Sequence, residues 1–306
     1  MNHYLKMASI ALFASMIASC SSIGNSVQTP THTVTSSASV ANGSGDLSGA
    51  HIMQPFNHFI QPNLNGALSY HGGPVLKTPV VYVVFWGFNA SGADPTGEKA
   101  YMTAFLSGVG GTPWSNTNHQ YYQIVGSLTQ HIANEPSQLA GTWVDSTNRV
   151  PKNPGDKKIQ EEAARLAAHV GFHQYASYVV ATPHGHNTPG FGTGFCAYHG
   201  VTMAGSHAIS YTNLPYMTDA GPNCGENAVN AGSAGVNDGV SIVEGHEYAE
   251  SETDPQLDAW WDSSNGGEIG DLCAWQGLGD ITESTGTFAM QPLWSDKAAG
   301  CTLHTP

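Results

Sequence analysis

His246, Glu247 and Glu250 stand together in the segment EGHEYAESETDP, Glu244 to Pro255. On a helix, residues four apart share a face and sit about 5–6 Å apart at Cβ. His246 and Glu250 therefore can offer an imidazole nitrogen and a carboxylate oxygen to one ion, at the ~2.0–2.2 Å that zinc takes from such ligands. Glu247 lies about 100° further round the helix and can face a water that the metal activates. In the zinc-protease motif H-E-x-x-H, two ligands share a face and the Glu is general base. Here Glu250 replaces the second histidine.

A catalytic zinc needs three protein ligands and an open position. For the third, Glu268 in GGEIGDLC is the first choice, with Asp271, Asp254 and His199 as further candidates. Glu268 and Asp271 would also suit calcium, which prefers hard oxygen ligands. His184 and His186, in PHGHN, follow a strand and can be metal ligands or loop residues. The opposing reading treats Glu244, Glu247, Glu250 and Glu252 as a solvated acidic face. Against it stand Val240, Ile242 and Val243 on the same segment, because an acid beside a buried imidazole usually has a role.

Several elements must position these residues. TPVVYVVFWGF (78–88) is almost continuously apolar and predicts a strand buried on both faces. DPTGEKAYMTAFLSGVGG predicts a helix, with Pro near its start and Gly at its end. Ile159, Ala163, Leu166 and Val170 lie on one stripe of a helix over 156–172. YASYVVATP is another strand, and GFCAYHG and HAISYTNLPYM are strands or long loops. Asn237 or Asp238 can cap a helix of about four turns that Pro255 stops. This alternation predicts an α/β or α+β fold, a mixed sheet with covering helices, and a smaller C-terminal lobe of short strands and turns.

The N-terminus carries a different signal. One Lys precedes an apolar run from Met7 to Ala18, too short for a confident membrane span. It reads as a signal peptide over 1–19. Ile17-Ala18-Ser19-Cys20 is similar to the lipobox of bacterial lipoproteins, which makes Cys20 the lipidated first residue of the mature chain. Several acyl chains would then hold it on a membrane, and Ser21 favours the outer membrane. Ordinary secretion is the alternative. A Ser/Thr/Asn/Gly-rich tether follows over 20–65, and one globular domain over 66–306. The remaining four cysteines imply two disulfides in an oxidising compartment, with three possible connectivities. The pairing expected is Cys196 with Cys224 and Cys273 with Cys301. Only 10% of residues are charged, the net charge is −14 and there are nine Lys and Arg. No basic patch is available for phosphates, which argues against nucleic acid as a partner.

The strings SYHGGPVLKTPVVYVVFWG, GFCAYHG, GHEYAESETDP, GEIGDLCAW and LWSDKAAGC occur in this order. Over roughly residues 69–306 the chain resembles the phosphate-induced-protein, or EXORDIUM-like, family, and its bacterial secreted members most. That resemblance implies a zincin-like domain, with His246, Glu250 and Glu268 as ligands and Glu247 as base. It implies Asp271 and Asp254 as supporting carboxylates and leaves His199 a family position of unassigned role, here a catalytic candidate. Plant members are extracellular cell-wall proteins that lose the His-Glu pair. The leading expectation is an exported zinc-dependent hydrolase, a metallopeptidase acting on a peptide or cell-surface polymer. The rival is a non-catalytic module with structural calcium that binds cell wall, polysaccharide or protein. Trp260, Trp261, Trp275 and Trp294 would supply its surface.

Overall fold

The computed structural model describes residue 47, residues 49–59 and residues 68–305. The signal peptide, Cys20 and most of the tether lie outside the described residues. In chain order the elements are β1 (Ala50–Met53), β2 (Ser69–Tyr70), β3 (Val80–Phe85), α1 (Glu98–Gly108), β4 (Tyr122–Val125), β5 (Leu128–His131) and β6 (Leu139–Trp143). Then follow α2 (Asp156–Val170), β7 (Ala176–Ala181), β8 (Ala197–Ala204), β9 (His207–Leu214) and α3 (Asp238–Thr253). Short strands close the chain: β10 (Trp260–Trp261), which pairs with β2, and the hairpins of β11 (Gly279–Glu283) with β12 (Gly286–Met290) and β13 (Leu293–Ser295) with β14 (Gly300–Thr302).

The sheet is mixed, in the order β1-β8-β9-β7-β3-β6. β9, β7, β3 and β6 run parallel, β8 joins β9 antiparallel, and β1 pairs antiparallel with β8 at the edge. Each face is apolar, as the continuous run in β3 requires. Val84, Tyr178 and Val180 meet the stripe Ile159, Ala163 and Leu166 of α2. Val81, Val83 and Phe85 point the other way, into the core shared by α1 and α3. The chain is thus a mixed α/β fold, as the sequence predicts.

Two expectations are corrected. The globular part begins before residue 66, because Ala50–Met53 pairs with β8 as the sheet's edge strand. Its alternation, Ala50 and Ile52 on one face and Met53 in the opposite core, is that of a strand. It escapes notice because it follows a Ser/Gly-rich stretch. Second, neither Asn237 nor Asp238 caps α3 through its side chain. Asp238 instead accepts hydrogen bonds from the amides of Val229 and Asn230, fixing the loop that leads into the helix. The hairpins after Pro255 share the α3 core through Ile281, Phe288, Met290, Leu293 and Trp294.

Both expected disulfides are present: Cys196–Cys224 and Cys273–Cys301. The first joins the entrance of β8 to the loop before α3. The second ties the turn Asp271–Cys273 to β14.

Candidate metal centre

Every residue of α3 from Asp238 to Thr253 is buried. The helix runs through the interior, so its acids do not form a solvated face. Glu244, Glu247 and Glu250 have no exposure and Glu252 has 1%. The solvated reading fails because α3 is covered on one side by the sheet and on the others by α1 and the C-terminal hairpins.

The sheet brings two histidines to this helix. Side chains alternate along a strand, so His199 shares the face of Ala197, and His51 that of Met53. The register pairs His51 directly with His199, and their ring centroids are 5.8 Å apart. Below α3, the segment after Gly266 supplies Glu268 and Asp271. Gly270 is required there: a Cβ on it would lie 2.6 Å from His246 Nδ1.

The acids and imidazoles interlock. His246 Nε2 is 3.0 Å from Glu250 Oε1 and 3.6 Å from Asp271 Oδ1. His51 Nδ1 is 3.2 Å from Asp271 Oδ2, 3.6 Å from Glu268 Oε1 and 3.8 Å from Glu250 Oε2. His199 Nδ1 is 3.2 Å from Glu247 Oε2 and 3.5 Å from Glu250 Oε2, and its Nε2 is 3.6 Å from Glu268 Oε2. Three sets could each hold a metal ion: His51, Glu250 and Glu268; His199, Glu247 and Glu250; His246, Glu250 and Asp271. Glu250 belongs to all three.

The expected triad of His246, Glu250 and Glu268 is therefore not one set. Asp271 takes the third place beside His246, and Glu268 joins His51. The short 3-10 turn at Asp271 folds its carboxylate back toward α3, where its own amide donates to Glu250 Oε1. Asp254 is in none of the sets. It sits at the end of α3 and accepts the amides of Asp258 and Ala259. His199, a residue of unassigned role in the sequence, is central. His51 is a component that spacing does not reveal, because its distance along the chain from α3 carries no pattern. Its one signal is the alternation of AHIM.

The fit to a cation can be tested on the donor atoms. His51 Nε2 lies 3.0 Å from the carbonyl of Gly266 and donates to it, which leaves Nδ1 bare and facing the carboxylates. His51 Nδ1, His199 Nε2, His246 Nε2, Glu247 Oε1, Glu250 Oε2 and Glu268 Oε2 are buried without a hydrogen-bond partner. Six such atoms around one locus are costly unless something joins them. Imidazole and carboxylate together are the donor set of zinc and similar divalent ions. The residues present fit a metal.

Burial and charge act on each group. Burial pulls the His246 ring down, but the Glu250 carboxylate outweighs it and pushes the ring up to about 9. Glu250 shows the reverse: burial pushes it up, and His246 with His199 holds it well below the carboxylate range. Burial raises Glu247, Glu268 and Asp271. Glu244 is raised by burial and then by Glu247. Gln291 Nε2 is 3.1 Å from His246 Nδ1 and donates 3.0 Å to the Gly270 carbonyl, while its Oε1 is buried and unpartnered. A His246 ring with a proton on Nδ1 needs that Oε1 as acceptor, so the amide must turn end for end. Only His51, at 20%, and Asp271, at 18%, are appreciably exposed in the cluster. They form its mouth.

His184 and His186 are elsewhere, on the rim of a cleft of about 410 Å³ between the loops after β3, β6 and β7. Asp219 holds His184, and the Pro151 carbonyl holds His186. Neither is in a metal-holding set. Trp260, Trp275 and Trp294 are buried, so they supply no binding surface.

Comparison with known proteins bears on the ancestry of this arrangement. The chain is similar to Protein EXORDIUM-like 5 of Arabidopsis thaliana. The two are 28% identical over 238 residues, which is 67% of this chain and 63% of that protein. This likeness supports the EXORDIUM-like family. The chain spans under two thirds of the length of Protein EXORDIUM-like 5. No family model and no solved structure matches.

Proposed function

We propose that the chain is an exported metal-dependent hydrolase, with zinc as the metal and a peptide or cell-surface polymer as substrate. The observation that carries this reading is the convergence of three imidazoles and four carboxylates, with ring nitrogens and oxygens buried and unpartnered, around α3. Zinc bound there would act as a Lewis acid and lower the pKa of a water molecule. His246 and Glu250, one helical turn apart, are the inner ligands in this zincin-like reading, and Asp271 completes their set. Glu247 is the base. Its Oε2 is tied to His199 at 3.2 Å, and its Oε1 is buried without a partner. That Oε1 takes the proton of the attacking nucleophile and passes it to the leaving amine. His199 holds Glu247 in place and shares its proton. Substrate approaches over His51 and Asp271, the exposed side.

The depth of the site favours a second reading, in which the ion is structural in a non-catalytic binding module. Three imidazoles argue for zinc over calcium in that case too. The two disulfides support an oxidising compartment, as a signal peptide and lipid anchor at Cys20 require.

Glu247→Gln discriminates. The zinc-loaded variant should keep its metal and lose peptide-library cleavage by roughly 10²–10⁴-fold, the usual contribution of a general base. Full cleavage by the variant would overturn the hydrolytic role. No cleavage by wild type, with metal retained, would favour the structural reading.

A further inference from the structure

The carboxylates of Glu250 and Asp271 are shared in a particular way. Each turns one oxygen to His246 and the other to His51. Glu250 Oε1 lies 3.0 Å from His246 Nε2, and its Oε2 lies 3.8 Å from His51 Nδ1. Asp271 Oδ1 lies 3.6 Å from His246 Nε2, and its Oδ2 lies 3.2 Å from His51 Nδ1. Two carboxylates thus span two imidazoles in parallel. One ion cannot use both sides of both carboxylates and both rings, since zinc takes about four ligands.

We propose that this cluster holds two divalent transition-metal ions, bridged by Glu250 and Asp271. The inference rests on the reading that the cluster binds metal, and adds its stoichiometry. One ion takes His246 Nε2 with the Oε1 and Oδ1 oxygens. The other takes His51 Nδ1 with the Oε2 and Oδ2 oxygens and Glu268 Oε1, which is 3.6 Å from that ring nitrogen. His199 Nδ1, 3.5 Å from Glu250 Oε2, borders the second position.

Two further observations agree. Both ring nitrogens lie within 3.2 Å of a carboxylate oxygen, yet neither makes a hydrogen bond with it. They aim off the oxygens, as ligands to a shared ion do. Charge is the second. Glu247, Glu250, Glu268 and Asp271 are four buried or nearly buried carboxylates, with no Lys or Arg among the ion pairs described for the cluster. With metal-bound, neutral imidazoles and all four acids ionised, the cluster would carry four negative charges, which two divalent ions would balance and one would not. Uncompensated buried charge is expensive.

The test is elemental analysis and cobalt substitution of the full-length protein. Purified protein is stripped with chelator, reloaded with Zn²⁺, dialysed and assayed for metal per chain. The expected content is about two ions for wild type. His246→Ala should fall to about one, because the His51 position keeps its own donors. With Co²⁺, wild type should show a spin-coupled pair by magnetic circular dichroism or EPR, and His246→Ala an isolated ion. One ion per wild-type chain, uncoupled, would overturn the pair and leave the metal reading intact. No bound ion would overturn both. Circular dichroism of each variant separates unfolding from loss of a ligand, and the wild-type count needs no variant.

Discussion

His246 is held by three different kinds of neighbour: an acid one turn along its own helix, a backbone with no Cβ, and an amide. Each has a consequence for the residue. Gly270→Ala places a methyl group against the imidazole, where its Cβ would lie 2.6 Å from Nδ1. The ring must shift, and Zn²⁺ affinity should fall in a competition titration with a chromophoric chelator. Gln291→Leu removes the partner at Nδ1 and frees the ring to rotate. Losing such an outer hydrogen bond typically costs about 10–100-fold in metal affinity, and that is the expected loss here. Gln291→Glu restores an acceptor at the same place and should recover part of it. Unchanged zinc affinity in Gln291→Leu would mean that Gln291 does not hold His246 in place as a ligand. At this scale the sequence was half legible. The spacing of His246 and Glu250 forecasts a shared helix face, and the fold brings both into one set. Asp271 in place of Glu268 was not readable, because the choice depends on one 3-10 turn. His51 was hidden because strand pairing joins residues whose sequence separation is arbitrary.

Between elements, the C-terminal hairpin bears on α1 through an acid. Gly108 ends α1, and a Cβ there would lie 2.6 Å from Glu283 Oε2 and 2.2 Å from Thr285 Oγ1. The glycine lets β11 and the turn after it close on the helix without displacing the Glu283 and Thr285 side chains. Glu283 is thereby buried at the negative end of the helix, and burial pushes its carboxyl up to about 8, with Thr285 pulling weakly the other way. The unfolded chain titrates this acid near its ordinary 4.5. Between these values the folded state holds the proton more tightly. Glu283 therefore lends its full stability below about pH 4.5, and loses it as the pH rises through about 8. Glu283→Gln cannot titrate. It should match wild type in melting temperature at pH 4.5 and exceed it at pH 8.5, as read by differential scanning fluorimetry. An equal offset at both pH values would refute the assignment. The long elements were legible: β3, β7, α1, α2 and α3 lie where their apolar runs and periodicities put them. The hairpin contacts were not, because they are made between faces distant in sequence.

For the whole molecule, the disulfides decide how much of the site survives reduction. Each closes a loop of 28 residues in sequence separation, and a loop of that length is worth roughly 3–4 kcal/mol by unfolded-chain entropy. Cys273–Cys301 also anchors the turn that carries Asp271. Cys273→Ala with Cys301→Ala should lower unfolding free energy by about that amount in guanidinium titration. It should also weaken zinc binding more than loss of Cys196–Cys224 does. Equal zinc affinity in both double variants would show that the turn holds Asp271 unaided. The four cysteines after Cys20 forecast two disulfides but leave three connectivities open, and the expected pairing of neighbours is the one present. The depth of α3 was not. Its four acids imitate a surface, and only the layers on either side of it, set by the entire chain, place it in the interior.

β1 is the edge strand, and it meets the sheet through β8 alone. It is also the strand that brings His51 to the cluster. A proteolytic cut between Met53 and the start of β2 would free the strand that carries His51, together with the core side chain Met53. Shortened versions of the chain beginning after Met53 would fold around a cluster short of a histidine. The N-terminal segment is thus more than a spacer: its loss would take one imidazole from the centre.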